Sequence, residues 1–567
     1  MKEGLYRLGS ITTGTPAVQT TNETGFGALP QSGELPDAIT LDGGAIGASY
    51  SVSTDPFRGI TLGANGGVIN TTAASLTLNG PITGAGPLRL IGRGVTLTAA
   101  NTSTGGTIIG SDIAMVGGIT TTSAGTATIN GDTNLGAVPA TVDATNVRLG
   151  TDTASAILTV NATTLFPATR GFRVGAAGGT LSTVTAATVT LAGPLSGPGA
   201  FIKTSSGTLV LSGSNTITGG ITSWGGGLLE VSSDANLGAV SGTVQPAAVQ
   251  LAGATTSGRL RAADTFTMHA NRGITINVGG TTASPLGGTI DVVADKTLTV
   301  AGPITGGGRL TKTGAGTLVL AGSNSFAGTT TVSSGTLVAS GVVGGTAAVT
   351  VASGATLTLA SGDALSTRSI TPSSGGKVTL TPYLQTSVGG LAANAGGLTD
   401  VGSGWVTVAA GLSATDMLVA LNAGRGDGSW NGTTGISSSV AAASGGSRTV
   451  GWLDNGDGTV TFAFAADGDT NLDWQVDILD SANFLAGGKL DSGTPATWNQ
   501  GDFTYDGFVD VLDAAAFLST GLLDSGPYNP PAGQSGIAAV PEPSTWTTIT
   551  LAAGLAWAGG RRGRRRG

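Results

Sequence analysis

Two acidic segments near the C-terminus carry the residue types best suited to chemistry. They read DTNLDWQVDILD and DFTYDGFVDVLD, and the second begins 33 residues after the first. Oxygen-bearing side chains at positions 1, 3, 5, 9 and 12, with a backbone carbonyl at position 7, are the ligands that one loop can offer to calcium. The spacing therefore predicts two calcium-binding loops. Their ligands are Asp469, Asn471, Asp473, Gln475, Asp477 and Asp480 in the first and Asp502, Thr504, Asp506, Phe508, Asp510 and Asp513 in the second.

A short apolar stretch follows each acidic segment, at residues 481–486 and 514–519, and is expected to be helical. A duplicated loop and helix resembles the dockerin module, whose loops are similar to EF-hands but end in Asp, as both do here. The resemblance implies a cohesin-like partner. Position 6, where a sharp turn favours glycine, is Gly507 in the second loop but Trp474 in the first.

This departure predicts that the first loop binds calcium more weakly than the second. Folding of the duplicated segment should depend on calcium, because four carboxylates in each loop repel one another and the short helices cannot form alone. The preceding repeats lack such ligands and should barely respond. Two acidic turns that bind no metal remain the alternative.

The C-terminus carries a second motif, Val540, Pro541, Glu542, Pro543 and Ser544, followed by mostly apolar residues 546–560 and five arginines. This order resembles the PEP-CTERM sorting signal, which implies processing by an exosortase-type enzyme. A helix of this length spans ~22 Å, short of the ~30 Å hydrocarbon core, and predicts transient anchoring in the inner membrane. A permanent anchor is the alternative, and the apolar stretch disfavours a nucleic-acid-binding tail.

The composition excludes several classes of protein. With 98 Gly among 567 residues and only 10% charged residues, the chain does not resemble an ordinary globular enzyme. The absence of Cys excludes a disulfide framework, thiol catalysis and Cys-ligated metals. A net charge of −8, with five of the 25 basic residues in the last seven positions, argues against nucleic acid as a partner.

A repeated unit organises much of the remaining chain. Residues 302–340 align without a gap with a segment that begins 109 residues earlier, at Gly193, and a weaker copy begins at Gly80. Short runs of β-formers bounded by Gly, Asn or Ser predict strands joined by turns. Such units bury their apolar faces only by stacking. We therefore predict an all-β fold, a parallel β-solenoid or β-helix.

This unit also resembles the autotransporter-associated β-strand repeat, a family that builds β-helical passenger regions of surface and secreted proteins. The positions that match are Leu310, Lys312, Gly314, Gly316, Leu318, Leu320, Gly322, Asn324, Gly328 and Thr330. Other residues also recur with the unit, namely Arg58, Arg170 and Arg272, and Lys203 with Lys312. Their recurrence predicts a structural role at turns rather than catalysis.

Six regions follow from these patterns. They are a partial repeat or truncated N-terminus (1–57), the solenoid repeats (58–360), a β-rich cap region (361–466), the dockerin-like module (467–527), a linker (528–539) and the sorting signal (540–567). No apolar signal stretch follows Met1, so we expect a signal peptide upstream of it. Within the cap region we expect strands at 377–382 and 459–464, a helix at 413–423 and a hairpin turn at 455–458.

Catalytic residues are not evident in the repeats. Nine carboxylates between residues 58 and 360 do not pair at short spacing apart from two loose pairs, and His269, the one histidine, has no counterpart in other units. We therefore expect a non-enzymatic secreted or cell-surface protein, adhesin-like or structural in the envelope or matrix, with a cohesin-like or surface polysaccharide partner. An extracellular carbohydrate-active β-helix enzyme, similar to a polysaccharide lyase, is the alternative.

Overall fold

The computed structural model describes residues 5–8, 35–48, 51–71, 74–111, 115–116, 119–120, 124–251, 253, 256–277, 280–281 and 284–530. The sorting motif at 540–544 and most of residues 1–34 lie outside the described residues. The described chain is all-β apart from a few short helices, and it forms a parallel β-solenoid of about 16 turns. The predicted fold class is confirmed.

Equivalent strands of successive coils lie on one another in parallel register. Leu298, Leu318, Leu337 and Leu357 form one such column, because each pairs with the next across neighbouring strands. All four side chains are buried, whereas the residues between them along each strand are partly exposed. This alternation has the period of two that a strand with one buried face requires. Each coil therefore covers the apolar face of its neighbour, and the core is continuous.

The strands belong to four multi-stranded sheets and two short hairpins. The 18-stranded sheet contains Leu5–Leu8, Gly44–Ala48, Val52–Ser53, Gly67–Thr71, Leu76–Leu78, Leu88–Leu97, Thr107–Ile109, Gly125–Ile129, Asp143–Leu149, Ala156–Val160, Arg170–Val174, Gly179–Thr183, Leu195–Ser196, Phe201–Thr204, Ile221–Ser223, Gln245–Leu251, Arg272–Ile276 and Ile304–Thr305. The 14-stranded sheet contains Thr164–Phe166, Thr188–Leu191, Thr208–Leu211, Leu228–Val231, Gly258–Ala262, Gly287–Val292, Arg309–Thr313, Thr330–Val332, Val349–Val351, Leu365–Pro372, Gln385–Leu391, Trp405–Val408, Val460–Ala465 and Thr449–Asp454. The 8-stranded sheet contains Phe266–Met268, Thr297–Val300, Thr317–Leu320, Thr336–Ala339, Thr356–Leu359, Lys377–Leu380, Leu398–Asp400 and Gly435–Ser437. The 3-stranded sheet contains Leu35–Leu41, Arg58–Leu62 and Ile82–Gly84, and the short hairpins join Met115–Val116 to Ile119–Thr120 and Gly280–Thr281 to Ser284–Pro285.

The parallel stack continues past residue 360. Four successive strands pair in parallel, each with the next: Thr356–Leu359, Lys377–Leu380, Leu398–Asp400 and Gly435–Ser437. The parallel strands therefore continue past residue 361, where the cap region is predicted to begin, and reach Ser437. The strand alternation persists after the glycine-rich signature of the repeat has faded, and the alternation is what stacking requires.

An antiparallel hairpin follows the last coils. Thr449–Asp454 pairs with Val460–Ala465, and Val460–Ala465 also pairs antiparallel with Trp405–Val408. The predicted hairpin turn is confirmed, and we call these two strands, 449–454 and 460–465, the end hairpin. Thr449–Asp454 is the last strand of its sheet, so one of its edges has no neighbouring strand in the part of the chain that the structure describes.

Four α-helices lie among the described residues: α1 (Ala414–Arg425), α2 (Ser439–Ala443), α3 (Ile478–Ala486) and α4 (Val511–Ser519). Short 3-10 helices span Asp132–Leu135, Asp234–Leu237 and Trp498–Gln500. The predicted helix at 413–423 is confirmed by α1, which Ser413 caps. Helices α3 and α4 begin three residues earlier than expected, because Asp477 and Asp510 act as their N-caps.

The recurring arginines join different coils. The guanidinium of Arg170 pairs with Asp132 at 2.6 Å and donates to the carbonyl of Gly136. The guanidinium of Arg272 makes the equivalent contacts, with Asp234 at 2.8 Å and the carbonyl of Gly238. Both arginines are buried, and each acceptor lies in a turn more than thirty residues earlier in the chain. The predicted structural role of these arginines is confirmed.

A further arginine of this kind lacks the sequence signature of the others. Arg368 is fully buried, donates to the carbonyls of Val343 and Gly344, and lies over the ring of Phe326 at 4.7 Å. It is not followed by glycine as Arg170 and Arg272 are, so the repeat pattern did not reveal it.

Candidate metal centre

The two acidic segments fold as loops of similar shape, loop 1 (residues 469–480) and loop 2 (residues 502–513). The fourth residue of each is left-handed, with φ of 60° at Leu472 and 62° at Tyr505. The sixth residue is left-handed as well, with φ of 66° at Trp474 and 86° at Gly507. This conformation favours glycine. The strain expected at Trp474 is therefore present in loop 1, whereas loop 2 avoids it at the same position.

The first carboxylate of each loop shapes the turn from inside. Asp469 and Asp502 are fully buried. Their Oδ2 atoms accept hydrogen bonds from the backbone N–H groups of the sixth residues, Trp474 and Gly507, at 3.0 Å in both loops. The sequence predicted these two aspartates as ligands, and the structure puts them at the centre of the turns.

The last positions close each loop onto its helix. Asp477 and Asp510 accept from backbone N–H groups of α3 and α4 at 2.7 Å. Asp480 and Asp513, both fully buried, accept from the backbone N–H groups of Asp477 and Asp510 at 2.9 Å. Each also accepts from the N–H of the second loop residue. The twelfth carboxylate therefore joins the beginning and the end of its own loop.

The middle positions are more open to solvent. Asp473 and Asp506 are exposed, and each Oδ1 accepts from the backbone N–H of the seventh residue, Gln475 or Phe508, at 2.9 Å. Asn471 donates from its amide to Asp473 at 3.0 Å. Both loops thus share one pattern, with positions 1 and 12 buried and position 5 at the surface.

Burial strongly affects the innermost acids. It raises the pKa of Asp469 to about 7, and the carboxylates of Asp480 and Asp473 act in the same direction, against the Tyr528 hydroxyl. Burial likewise raises the pKa of Asp502 to about 7. Because a nearby cation favours the ionised form of a carboxyl group, both acids would respond strongly to a bound metal ion.

Two oxygen atoms in the loops fit a hard cation. Asp469 Oδ1 and Thr504 Oγ1 are buried and have no hydrogen-bond partner among the described residues. They belong to position 1 of loop 1 and position 3 of loop 2, which are ligand positions in the sequence pattern. Within the described ranges, no group of three or more His, Cys, Asp or Glu side chains is arranged as a metal site. The fit therefore rests on ligand order and on these two atoms.

Each loop is hydrogen-bonded to the segment that follows the helix of the other loop. The N–H of Asp491, after α3, donates to the carbonyl of Val509 in loop 2 at 2.9 Å. The N–H of Asp524, after α4, donates to the carbonyl of Val476 in loop 1 at 2.8 Å. Both carbonyls belong to position 8, so the 33-residue duplication of the sequence extends to these contacts. Because these hydrogen bonds are reciprocal, each loop-helix unit depends on the other for its backbone contacts.

Sequence reasoning missed two aromatic residues at loop 1. The Nε1 of Trp498 donates to the carbonyl of Asp469 at 2.7 Å, and the hydroxyl of Tyr528 donates to its Oδ2. Neither falls at a position of the loop pattern, and the only available signal was an aromatic side chain in a polar stretch. Tyr528 lies one residue beyond the predicted end of the module at residue 527, and the amide of the next residue, Asn529, donates to the carbonyl of Ser403.

Other titratable residues of the solenoid serve local structure. His269 is exposed, and its Nδ1 accepts the backbone N–H of Asn271 at 3.0 Å. Lys203 and Lys312 are fully buried, and each Nζ donates to carbonyls of the turn that follows it. The predicted role of these lysines at turns is confirmed.

No helix in the described ranges combines the length and apolar character needed to cross a membrane. The apolar stretch predicted to do so, residues 546–560, lies outside those ranges.

Comparison with protein families adds one finding about the solenoid. The model of the passenger-associated transport repeat matches residues 201–229 and 310–339. Each matched stretch is similar to one copy of this repeat, which supports the predicted resemblance to autotransporter-associated repeats. Both matches lie inside the units aligned above and contain the buried lysines Lys203 and Lys312. No curated protein and no solved structure matches the chain.

Proposed function

We propose that this is a non-enzymatic, secreted or cell-surface protein of the passenger type, adhesin-like or structural in the envelope or matrix. The repeat matched twice within a long parallel solenoid carries this proposal. A solenoid offers an extended and regular surface, which suits adhesion or assembly. The test is protease treatment of intact cells followed by fractionation. Cleavage of the protein at the surface is expected, and full protection together with recovery in the cytosol would contradict the proposal.

We further propose that loops 1 and 2 each bind one calcium ion. Asp469, Asp473, Asp480 and their counterparts in loop 2 would supply carboxylate ligands, and calcium would neutralise their mutual repulsion. The unpartnered oxygens of Asp469 and Thr504 support this assignment. Calorimetry on the full chain should give two binding events, of which Asp502→Asn removes one. Absence of calcium heat would refute the assignment.

The C-terminal motif is proposed to direct processing by an exosortase-type enzyme after transient anchoring in the inner membrane. Support comes from the order of the motif, the apolar stretch and the arginines in the sequence. Replacing Pro541, Glu542 and Pro543 together with Ala should leave the protein in the membrane fraction at full mass. Release and trimming like the parent would show that the motif is not the determinant.

The partner of the module is proposed to be a cohesin-like protein. Four apolar side chains at positions 10 and 11 of the loops are exposed: Ile478 by 71%, Leu479 by 59%, Val511 by 68% and Leu512 by 62%. The same pair recurs in both copies, so the module presents two similar apolar patches, which favour a protein over a polysaccharide. Recombinant cohesin domains should bind the calcium-loaded chain, and Leu479→Asp with Leu512→Asp should abolish binding. Binding of surface polysaccharide alone would refute this choice.

A further inference from the structure

The two loops contact the end hairpin through their fourth residues. Tyr505 of loop 2 is buried, and its hydroxyl donates to the carbonyl of Val450 at 2.7 Å. Leu472, at the same position of loop 1, is also buried and lies against Gly451. Each fourth residue stands between ligand positions 3 and 5. A change in the curvature of a loop therefore moves the side chain that holds this loop to the hairpin.

Gly451 marks the closest approach of the module to the hairpin backbone. A Cβ atom there would lie 2.5 Å from Leu472 Cδ2 and 2.7 Å from Trp498 Cε2. Such distances are far below van der Waals contact, so a side chain at this position would force Leu472 and the rigid indole of Trp498 to shift. The indole of Trp498 also donates to the carbonyl of Asp469. One side chain thus contacts both the hairpin and the first ligand position of loop 1.

Residues 528 and 529 make a second connection between loop 1 and the final coils. The hydroxyl of Tyr528 donates to Asp469 and accepts the backbone N–H of Ala466 at 3.0 Å. The amide of Asn529 donates to the carbonyl of Ser403 at 3.0 Å, in the turn before the last parallel strand of its sheet. The first carboxylate of loop 1 is therefore linked through two consecutive residues to the final coils.

Further contacts hold each loop to the same end of the solenoid. Arg425, the last residue of α1, donates to the carbonyl of Thr504 at 2.9 Å and lies over the ring of Tyr505 at 5.1 Å. The indole of Trp474 donates to the carbonyl of Phe464 at 3.0 Å. Because the module and the final coils also share one hydrophobic cluster, they form a common core.

We infer that residues 467–530 are the C-terminal cap of the solenoid and that calcium in the two loops closes this cap. The inference rests on the calcium binding proposed above and adds the coupling between the ions and the end hairpin. Coupling follows because the residues between the ligands are the residues that dock. An ion that fixes the loops then stabilises the docked hairpin, and docking in turn raises the affinity for the ion.

Physical reasons favour a cap at this place. Among the described residues, no strand pairs with the outer edge of Thr449–Asp454, and an open edge invites pairing with other chains. Helices α3 and α4 have nine residues each, too few to be stable alone, so the module depends on both its ions and its docking surface.

Hydrogen exchange and calorimetry on the full chain test the coupling. Calcium should slow amide exchange in Thr449–Asp454 and Val460–Ala465 relative to chelator. Gly451→Ala, which touches no ligand, should weaken calcium affinity about tenfold, because overpacking opposes docking. Gly242→Ala is the matched control, since a Cβ there meets nothing within 4 Å. It should leave both the exchange and the affinity unchanged.

Tyr505→Phe gives a milder test if Gly451→Ala fails to fold. It removes only the hydroxyl that contacts the hairpin, and affinity at one site should fall about fivefold. Calcium binding without protection of the hairpin, and with parental affinity in both variants, would overturn the coupling but leave the proposed calcium sites intact. Absence of calcium binding to the parent would overturn both.

Discussion

The buried lysines of the repeat should give the solenoid a specific pH dependence. Lys312 is fully buried, and its Nζ donates to the carbonyls of Thr313 and Gly314 at 2.8 Å and of Ser334 at 3.2 Å. Burial lowers the pKa of Lys312 from 10.5 to about 8, although the carboxylate of Asp291 acts in the opposite direction. Between these two pH values the folded chain binds fewer protons than the unfolded chain.

Stability must therefore rise with pH across this window, because the unfolded state binds more protons there. The pKa difference of about 2.5 corresponds to ~3 kcal/mol of unfolding free energy at ~1.36 kcal/mol per pKa unit. The increase in unfolding free energy begins near pH 8 and is complete near pH 10.5. Burial also lowers the pKa of Lys203 to about 8, so the equivalent lysine adds a similar contribution at its own coil.

The assay is equilibrium unfolding in guanidinium chloride at pH 7.5, 8.5, 9.5 and 10.5, followed by circular dichroism, with chelator present throughout so that bound calcium does not vary. In Lys312→Met the gain in unfolding free energy over this range should be smaller than in the parent by ~3 kcal/mol. Lys296→Met is the control, because Lys296 lies at the surface and pairs with Asp264 at 2.8 Å. It should keep the parental gain. An unchanged gain in Lys312→Met would refute the reasoning.

Three further predictions concern the loops, the arginines and catalysis. Asp506→Ala should lower calcium affinity at least about tenfold and more than Asp473→Ala, because Trp474 already strains loop 1; equal losses in calorimetry would contradict this. Arg272→Leu, which leaves buried carbonyls without a donor, should lower the unfolding free energy by ~3 kcal/mol in denaturant titrations, against less than ~0.5 kcal/mol for exposed Arg309→Leu. The purified chain should not degrade acidic or neutral polysaccharides, and turnover abolished by one point substitution would show that it is an enzyme.

The fold was predictable where local pattern and stacking agree. Leu318 and Leu337 alternate with partly exposed residues, so strand, buried face and parallel stacking all follow from a short stretch of sequence. The limit of the solenoid was not predictable in this way. Beyond residue 360 the glycine signature fades while the strands continue to Ser437, and the signature reflects turn geometry rather than the stacking itself.

The candidate site was predictable only as a pattern within each loop. Ligand order, duplication and the left-handed position of Trp474 could be read from spacing, because these properties are local. The docking contacts of Trp498 and Tyr528 could not, since they join residues 29 and 59 positions away from Asp469. In sequence, Gly451 is an ordinary strand glycine, and only the structure shows that the indole of Trp498 packs against it.

These contacts change what calcium is expected to stabilise. From ligands alone, the ion should affect the module and leave the solenoid unchanged, because the acidic twelve-residue pattern occurs in residues 469–480 and 502–513 and does not recur in the repeat sequence. Yet the stability of a solenoid is approximately the sum of the intrinsic stability of each coil and the interaction energy between neighbouring coils. The last coil has a neighbouring coil on one side only, so the module must supply the interface on its other side. An ion that holds the module in place therefore acts on the last coil first, and its effect should diminish with each coil toward the N-terminus.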